Sequence, residues 1–343
     1  MKLKVLVVDD SAFMRLLLSD ILSEDKELEV VGSAADGKEA VTQVMALKPD
    51  LVLLDMNMGE YDGLYAVEHI MKKHPVPILI LSAVGNTDLE PIFDALRLGA
   101  VDYMNKPVRN NSKLRSMDME LIRKIKSAAR AKPTIQLPQT KPVATVKLKP
   151  RKKRTYDIIV IGASTGGPTA IENVITAFPS NLDVPVLIGQ HMPANFIQPF
   201  VDRLNKLSPL DVKMGVRGMV PRPGSIIIAP GDRNMVVTCD KSGHLTIDFS
   251  DEVFREYNNP SINALMLSVA DSYGSKALGA ILTGMGKDGV KGLSAIKAKG
   301  GHTVAQDKAT SVIYGMPKVA YDSGAVSDVL SIKEIGSFLV SKL

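Results

Sequence analysis

Short apolar runs alternate with longer amphipathic stretches through the first third of the chain. The runs are Val5–Val8, Val30–Ser33, Leu51–Leu54, Ile78–Leu81 and Asp102–Met104. The stretches between them, about 10–15 residues each, are long enough for crossover helices. Five such strand–helix units predict a parallel sheet covered on both faces, over residues 1–126. Pro49 and Pro77 stand just before the third and fourth runs, where they end a helix and open a strand.

Residues 155–343 repeat the style at larger size. Ile158–Ile161, Val186–Ile188, Ile226–Ala229, Leu278–Leu282 and Thr303–Ala305 read as buried parallel strands. Thr169–Phe178, Ile262–Ser272 and Gly289–Lys299 read as helices between them. Met235–Cys239 and Leu245–Phe249, joined through Lys241-Ser242-Gly243-His244, predict an antiparallel hairpin. The second domain is therefore a doubly wound, mainly parallel α/β unit with one hairpin.

Composition adds three points. With 343 residues, 45% hydrophobic and 23% charged, the chain has material for two soluble cores. No apolar run approaches the ~18 residues of a membrane span, and Met1–Val8 meets Asp9 and Asp10 too soon for a signal peptide. A single cysteine, Cys239, excludes an internal disulfide framework and predicts a cytoplasmic setting. Net charge is +5, yet nine Lys and Arg fall between Arg130 and Arg154, so the rest of the chain carries −4. That segment, with Pro133, Pro138, Pro142 and Pro150, predicts a semi-rigid basic linker over 127–154. The basic balance thus belongs to a linker and gives no indication of nucleic-acid binding.

In open parallel sheets function collects at the carboxyl ends of the strands. In the first domain those ends carry Asp9 and Asp10, Asp55, Ser82 and Lys106. Three carboxylates brought together repel and need a cation, and oxygen ligands suit Mg²⁺. One carboxylate can then attack a phosphoryl donor, while a Lys and a hydroxyl neutralise the phosphoryl oxygens. Val7-Val8-Asp9-Asp10-Ser11, Leu53-Leu54-Asp55-Met56-Asn57-Met58, Ile80-Leu81-Ser82-Ala83 and Tyr103-Met104-Asn105-Lys106-Pro107 resemble the receiver domains of two-component systems, which are flavodoxin-like. The resemblance covers residues 3–125. It implies Asp55 as phospho-acceptor, and Asp9, Asp10, Asp55 and the Asn57 backbone around Mg²⁺. It also implies Ser82 and Lys106 as phosphate sensors and Tyr103 as the switch aromatic. One departure is Gly59, where many receivers have proline; glycine frees that loop.

In the second domain, Asp157–Ile161 runs into Gly162-Ala163-Ser164-Thr165-Gly166-Gly167-Pro168. This fits G-x-S-x-G, a nucleophile elbow if a strand, a turn and a helix follow one another there. Small residues allow a tight turn, and the helix start offers free amides to an oxyanion. A nucleotide-phosphate loop is a competing reading, but the P-loop lysine is missing and the G-x-G-x-x-G spacing fails. A short-chain dehydrogenase would want Tyr-x-x-x-Lys on a helix; Tyr314 and Lys318 have the spacing, but Gly315 and Pro317 oppose a helix.

A serine nucleophile needs a base. Of five histidines, His69 and His74 fall at a helix end and loop of the first domain, His244 at the hairpin turn, and His302 at the wrong end of a strand. His191 directly follows Val186–Gln190 and so stands at a carboxyl strand end, like Ser164. The base needs an orienting carboxylate. Asp288 follows another strand end in Thr283-Gly284-Met285-Gly286-Lys287-Asp288-Gly289, and Asp232 and Asp307 are its rivals. The order Ser, His, Asp is not that of α/β-hydrolases.

Gly162–Gly167, Gln190-His191-Met192-Pro193 and Thr283–Gly289, with Ala229-Pro230-Gly231-Asp232 and Pro260-Ser261-Ile262-Asn263, resemble the catalytic domain of the chemotaxis protein-glutamate methylesterases, the CheB family. With the receiver and linker the resemblance spans the whole chain. It implies hydrolysis of glutamate γ-methyl esters on methyl-accepting chemoreceptors, releasing methanol, and deamidation of receptor glutamines. It implies Ser164 as nucleophile, His191 as base and Asp288 as its orienter, with no cofactor for that step. Backbone amides near Thr165 and Met285 are candidates for the oxyanion hole. Implied partners are the chemoreceptors and a chemotaxis histidine kinase as phosphodonor, at chemoreceptor arrays in the cytoplasm, with no nucleic acid and no membrane insertion. In that family the receiver covers the esterase until Asp55 is phosphorylated. Two other outputs compete: a response regulator that only binds receptors or DNA, and a degenerate hydrolase serving as scaffold. A DNA-binding output would show a helix-turn-helix, yet the second half is α/β and not basic.

Overall fold

The computed structural model describes residues 2–83, 88–107, 114–131, 155–240, 242–254 and 260–343, with backbone only over 114–117. The expected linker lies outside these residues from 132 to 154, as does Lys241 of the expected hairpin turn. The chain divides into two compact units, Met1–Pro138 and Gln139–Leu343.

The first unit runs β1 (Leu3–Val8), α1 (Ala12–Ser23), β2 (Leu28–Ala34), α2 (Gly37–Leu47), β3 (Leu51–Asp55), α3 (Gly63–Lys73), β4 (Ile78–Ser82), α4 (Glu90–Arg97), β5 (Asp102–Asn105) and α5 (Leu114–Ala128). α5 continues two residues past 126. The five strands form one parallel sheet in the order β2-β1-β3-β4-β5. Every residue of β3 and β4 is buried, as in a sheet covered on both faces. Each leucine or isoleucine so buried contributes about 1.5–3 kcal/mol. Ser11, Asp36 and Asp62 cap α1, α2 and α3 by accepting an amide of the first turn, which starts these helices soon after their strands. Gly59 has φ +76°, with no atom within 4 Å of where a Cβ would stand. It is there for its backbone: proline, fixed near φ of about −65°, cannot make this left-handed turn.

The second unit runs β6 (Ile158–Ala163), α6 (Gly167–Ile175), β7 (Val186–Gln190), α7 (Ala194–Leu207), β8 (Asp211–Met214), β9 (Ser225–Ile228), β10 (Asn234–Cys239), β11 (Leu245–Ser250), α8 (Ile262–Tyr273), β12 (Ala277–Ile281), α9 (Val290–Ala298), β13 (His302–Gln306), α10 (Met316–Asp322), β14 (Asp328–Leu330) and α11 (Ile332–Lys342). Seven strands make an all-parallel sheet, β14-β13-β12-β6-β7-β9-β8, and β10 and β11 form a separate antiparallel pair. The pair packs on α8, with Val237, Ile247, Leu265, Met266 and Val269 in one buried cluster.

β8, β14, α7, α10 and α11 go beyond the sequence expectation. β8 and β14 are short edge strands with exposed positions, so neither leaves a continuous apolar run. α7 tolerates Pro199 within it. Pro317 sits in the first turn of α10, where its missing amide costs little, so Lys318 is helical after all. Tyr314 precedes that helix, and the two do not share it.

Candidate functional site

The parallel register builds the second unit's site. Ala163 of β6 pairs with Gln190 of β7, so the next residues, Ser164 and His191, emerge side by side at the carboxyl edge. Gly162 pairs with Ile281 of β12, which lays the following segment along Ser164: its amide donates to the Thr283 carbonyl at 3.0 Å. The strand, the turn at Ser164–Gly166 and α6 with Pro168 in its first turn supply the context a nucleophile elbow requires.

His191 Nδ1 lies 3.1 Å from Ser164 Oγ, and His191 Nε2 lies 2.8 Å from Asp288 Oδ2. The structure therefore brings all three sequence candidates into one hydrogen-bonded chain. Ser164 and His191 are part-exposed, whereas Asp288 is buried. The ring contacts are specific. With Nε2–H donated to Asp288, the Nδ1 lone pair faces the serine hydroxyl.

Asp288 rests on the start of α8. Its Oδ2 accepts the Ile262 amide at 2.7 Å, and its Oδ1 accepts the Asn263 and Gly289 amides, each at 2.9 Å, and the Ser261 hydroxyl at 3.3 Å. Burial pushes this carboxyl up, but the His191 hydrogen bond and charge, with the Ile262 and Asn263 amides, outweigh burial and hold it below its ordinary value. A helix N-terminus favours a carboxylate for the same reason. α8 comes this close because Gly162 has no side chain: a Cβ there would stand 2.4 Å from Ile262 Cγ2. These amide donors have no place among the sequence candidates. Ser261, immediately before an apolar helical run, is the N-cap signal that points to them.

The rivals lie elsewhere. Asp232 is exposed beside Arg233, and Asp307 accepts the Thr310 amide and hydroxyl within its own turn. His244 is exposed near Asp240, His302 opens β13 and bonds Asp328, His69 bonds the Tyr65 carbonyl, and His74 caps α3. The Met285 amide donates to no group among the described residues. Its neighbour Gly284 packs on the nucleophile, since a Cβ there would meet Ser164 Cβ at 2.7 Å. The Ser164 amide is already committed to Thr283, and Thr165 is buried next to it.

The first unit gathers its polar strand ends likewise. Oxygens of Asp9, Asp10 and Asp55 lie within 4.8 Å of one another. Lys106 Nζ lies 2.7 Å from Asp9 Oδ2 and 2.8 Å from Asp55 Oδ2. Burial pushes Asp55 up, and the Lys106 hydrogen bond and charge only partly offset it. For Lys106 burial acts downward, but the two carboxylates outweigh it and raise the ammonium. The Ser82 carbonyl accepts the Lys106 amide at 2.7 Å, and Asn57, which is exposed, donates its amide to the Asp55 carboxylate. Tyr103 is buried, with its hydroxyl pushed well up by burial and by the Asp102 charge. An all-oxygen set of three carboxylates, one of them exposed, suits a hard cation such as Mg²⁺.

Two family models match. One described as CheB methylesterase covers residues 159–339, and one described as response regulator receiver domain covers residues 5–117. A Pyrococcus abyssi protein named protein-glutamate methylesterase/protein-glutamine glutaminase is 39% identical over 345 residues, 99% of this chain and 93% of that protein. A Geobacter sulfurreducens protein, protein-glutamate methylesterase/protein-glutamine glutaminase 1, is 39% identical over 348 residues, 98% of this chain and 96% of its own. The crystal structure of the Thermotoga maritima CheB methylesterase catalytic domain is 35% identical with a TM-score of 0.53, covering 55% of this chain and 99% of that one.

Proposed function

The chain belongs to the CheB methylesterase family, with a receiver domain ahead of its esterase domain, and on that premise we propose that Ser164, His191 and Asp288 hydrolyse glutamate γ-methyl esters of chemoreceptors and deamidate receptor glutamines. The observation that carries this reading is the continuous chain from Ser164 Oγ through the His191 ring to Asp288. Ser164 Oγ attacks the γ-carbonyl while His191 Nδ1 takes the hydroxyl proton. The buried Asp288 carboxylate keeps the other proton on Nε2 and stabilises the imidazolium. As the ester C–O bond breaks, Nδ1 returns its proton to the leaving oxygen and methanol departs; a glutamine substrate loses ammonia. Water then attacks the acyl-enzyme, giving its proton to Nδ1, which passes it to Ser164 Oγ as the acyl bond breaks and glutamate is released. The Met285 and Thr165 backbone amides are the candidate donors to the oxyanion.

Asp55 receives the phosphoryl group. Asp9, Asp10, Asp55 and the Asn57 backbone would hold Mg²⁺, which would shield phosphoryl charge. Lys106 and Ser82 bind the phosphoryl oxygens, and Tyr103 reports the change. Phosphorylation shifts the esterase toward its active state. The implied donor is a chemotaxis histidine kinase, and the place of action is the chemoreceptor array. No helix among the described residues is long and apolar enough to cross a membrane.

The test is methanol release from methylated chemoreceptor membranes, with and without Mg²⁺ and a small phosphodonor. Release that rises with the phosphodonor supports both halves of the reading. Asp55→Ala is expected to abolish that rise while basal release stays within about twofold, since the Ser164 site is built on other strands. A variant still stimulated by the phosphodonor contradicts the assignment of Asp55.

A further inference from the structure

Gln190, the last residue of β7, is 1% exposed and belongs to none of the reacting groups. Its amide nitrogen donates twice, to the Ser164 carbonyl at 3.1 Å and to the His191 carbonyl at 2.8 Å. The two acceptors belong to the proposed nucleophile and the proposed base. Both are carbonyls, so only the NH₂ end of the side chain can face them, and its orientation is fixed. The Oε1 end is buried without a hydrogen-bond partner. An unsatisfied buried acceptor costs stability, so the two bonds on the nitrogen side are what holds the amide in place.

Gly167 is the other half of this arrangement. A Cβ on Gly167 would stand 2.0 Å from Gln190 Oε1. The second glycine of Gly166-Gly167 therefore leaves room for the amide directly beneath the elbow. The Gly167 amide in turn donates to the same Ser164 carbonyl, at 2.7 Å.

Resting on the reading of Ser164 and His191 as nucleophile and base, we propose that Gln190 is a positioning residue that clamps their two backbones together and so sets the distance across which the proton moves. β6 and β7 are paired only up to Ala163 and Gln190. Beyond that point the His191 amide donates back to the Ala163 carbonyl, and the Gln190 fork continues the connection past the last ladder pair. Gln190 touches no reacting atom; it acts through the carbonyls of those that do.

The experiment measures kcat and KM for methanol release from methylated receptor membranes, with Ser164→Ala as a control. Gln190→Met keeps the length of the side chain and removes both donors. It is expected to lower kcat on the order of tenfold to a hundredfold with KM within about twofold, the signature of a misplaced reacting pair. Gly167→Ala, which displaces an intact amide, is expected to give the same split. In a Gln190→Ala background Gly167→Ala should cost clearly less than it does alone, because the Gln190 amide is gone and only the Ala163 Cβ, 2.9 Å away, still meets the new methyl. Circular dichroism confines the comparison to temperatures at which each variant is folded. Unchanged kcat in folded Gln190→Met or Gln190→Ala enzyme would overturn the proposal, as would independent, fully additive effects of the two positions. Wild-type turnover by Ser164→Ala would instead remove the reading of the site on which the proposal rests.

Discussion

Ser164→Ala is expected to lower phosphodonor-stimulated methanol release on the order of 10⁶-fold, the scale at which loss of a serine nucleophile removes covalent catalysis. The size follows from the geometry. His191 Nδ1 has the Ser164 hydroxyl 3.1 Å away, and deleting that oxygen leaves the base with no nucleophile to activate. The substitution keeps Cβ, which packs against Gly284, and keeps the backbone bonds to Thr283 and Gly167. Folding should therefore be unaffected, and phosphorylation at Asp55 should proceed at the wild-type rate. This combination separates the hydrolase from its competitors. A response regulator with a binding-only output, or a scaffold derived from a hydrolase, would release no methanol in the wild type and lose nothing in the variant. Turnover at the wild-type rate in a folded Ser164→Ala protein would end the assignment.

Ser164 and His191 were legible because parallel strands deliver consecutive residues to one edge. Each directly follows the last residue of its strand, and the pairing of Ala163 with Gln190 converts that linear fact into a 3.1 Å contact. Asp288 is a different case. It lies seven residues beyond the end of β12, and position in the chain did not separate it from Asp232 or Asp307. What separates them is α8, whose first amides receive one carboxylate and not the others, and that contact is made possible by the absence of a side chain on Gly162. Tertiary packing of this kind leaves no period in the sequence. The edge strands β8 and β14 were missed because their half-exposed positions break the apolar run by which buried strands are read. Gln190 was legible only as part of a motif. Its chemistry depends on which way an amide faces, and the two carbonyls that decide this come from residues 26 positions away and next door.

Asp288→Asn carries the second large effect, expected on the order of a 10⁴-fold loss in kcat, the scale found when a triad aspartate becomes its amide. The carboxylate accepts five hydrogen bonds and donates none: His191 and the Ile262 amide on Oδ2, and the Asn263 and Gly289 amides with the Ser261 hydroxyl on Oδ1. Asparagine must turn an NH₂ group toward one of these sets. If it faces His191, the ring has to accept at Nε2 and carry its proton on Nδ1, where it can no longer take the proton of Ser164, and the Ile262 amide loses its acceptor. If it faces the other way, two backbone amides and a hydroxyl lose their acceptor in a buried place, at about 1–3 kcal/mol for each group left unsatisfied. The two orientations give different measurable outcomes: lost kcat with the stability cost of one stranded amide, or a larger loss of stability with more residual activity. Packing and backbone bonding favour the first, because three donors hold Oδ1 and only His191 can change its tautomer to suit. A pH series adds an independent check. Asp288 is held below its ordinary 3.8, so the stability it contributes is complete above the ordinary carboxylate range and is lost as the pH falls through its lowered value in the folded enzyme. The Asn variant should lack that part of the wild-type decline in acid. Wild-type kcat in Asp288→Asn would remove Asp288 from the proton-transfer chain and leave it as a cap on α8.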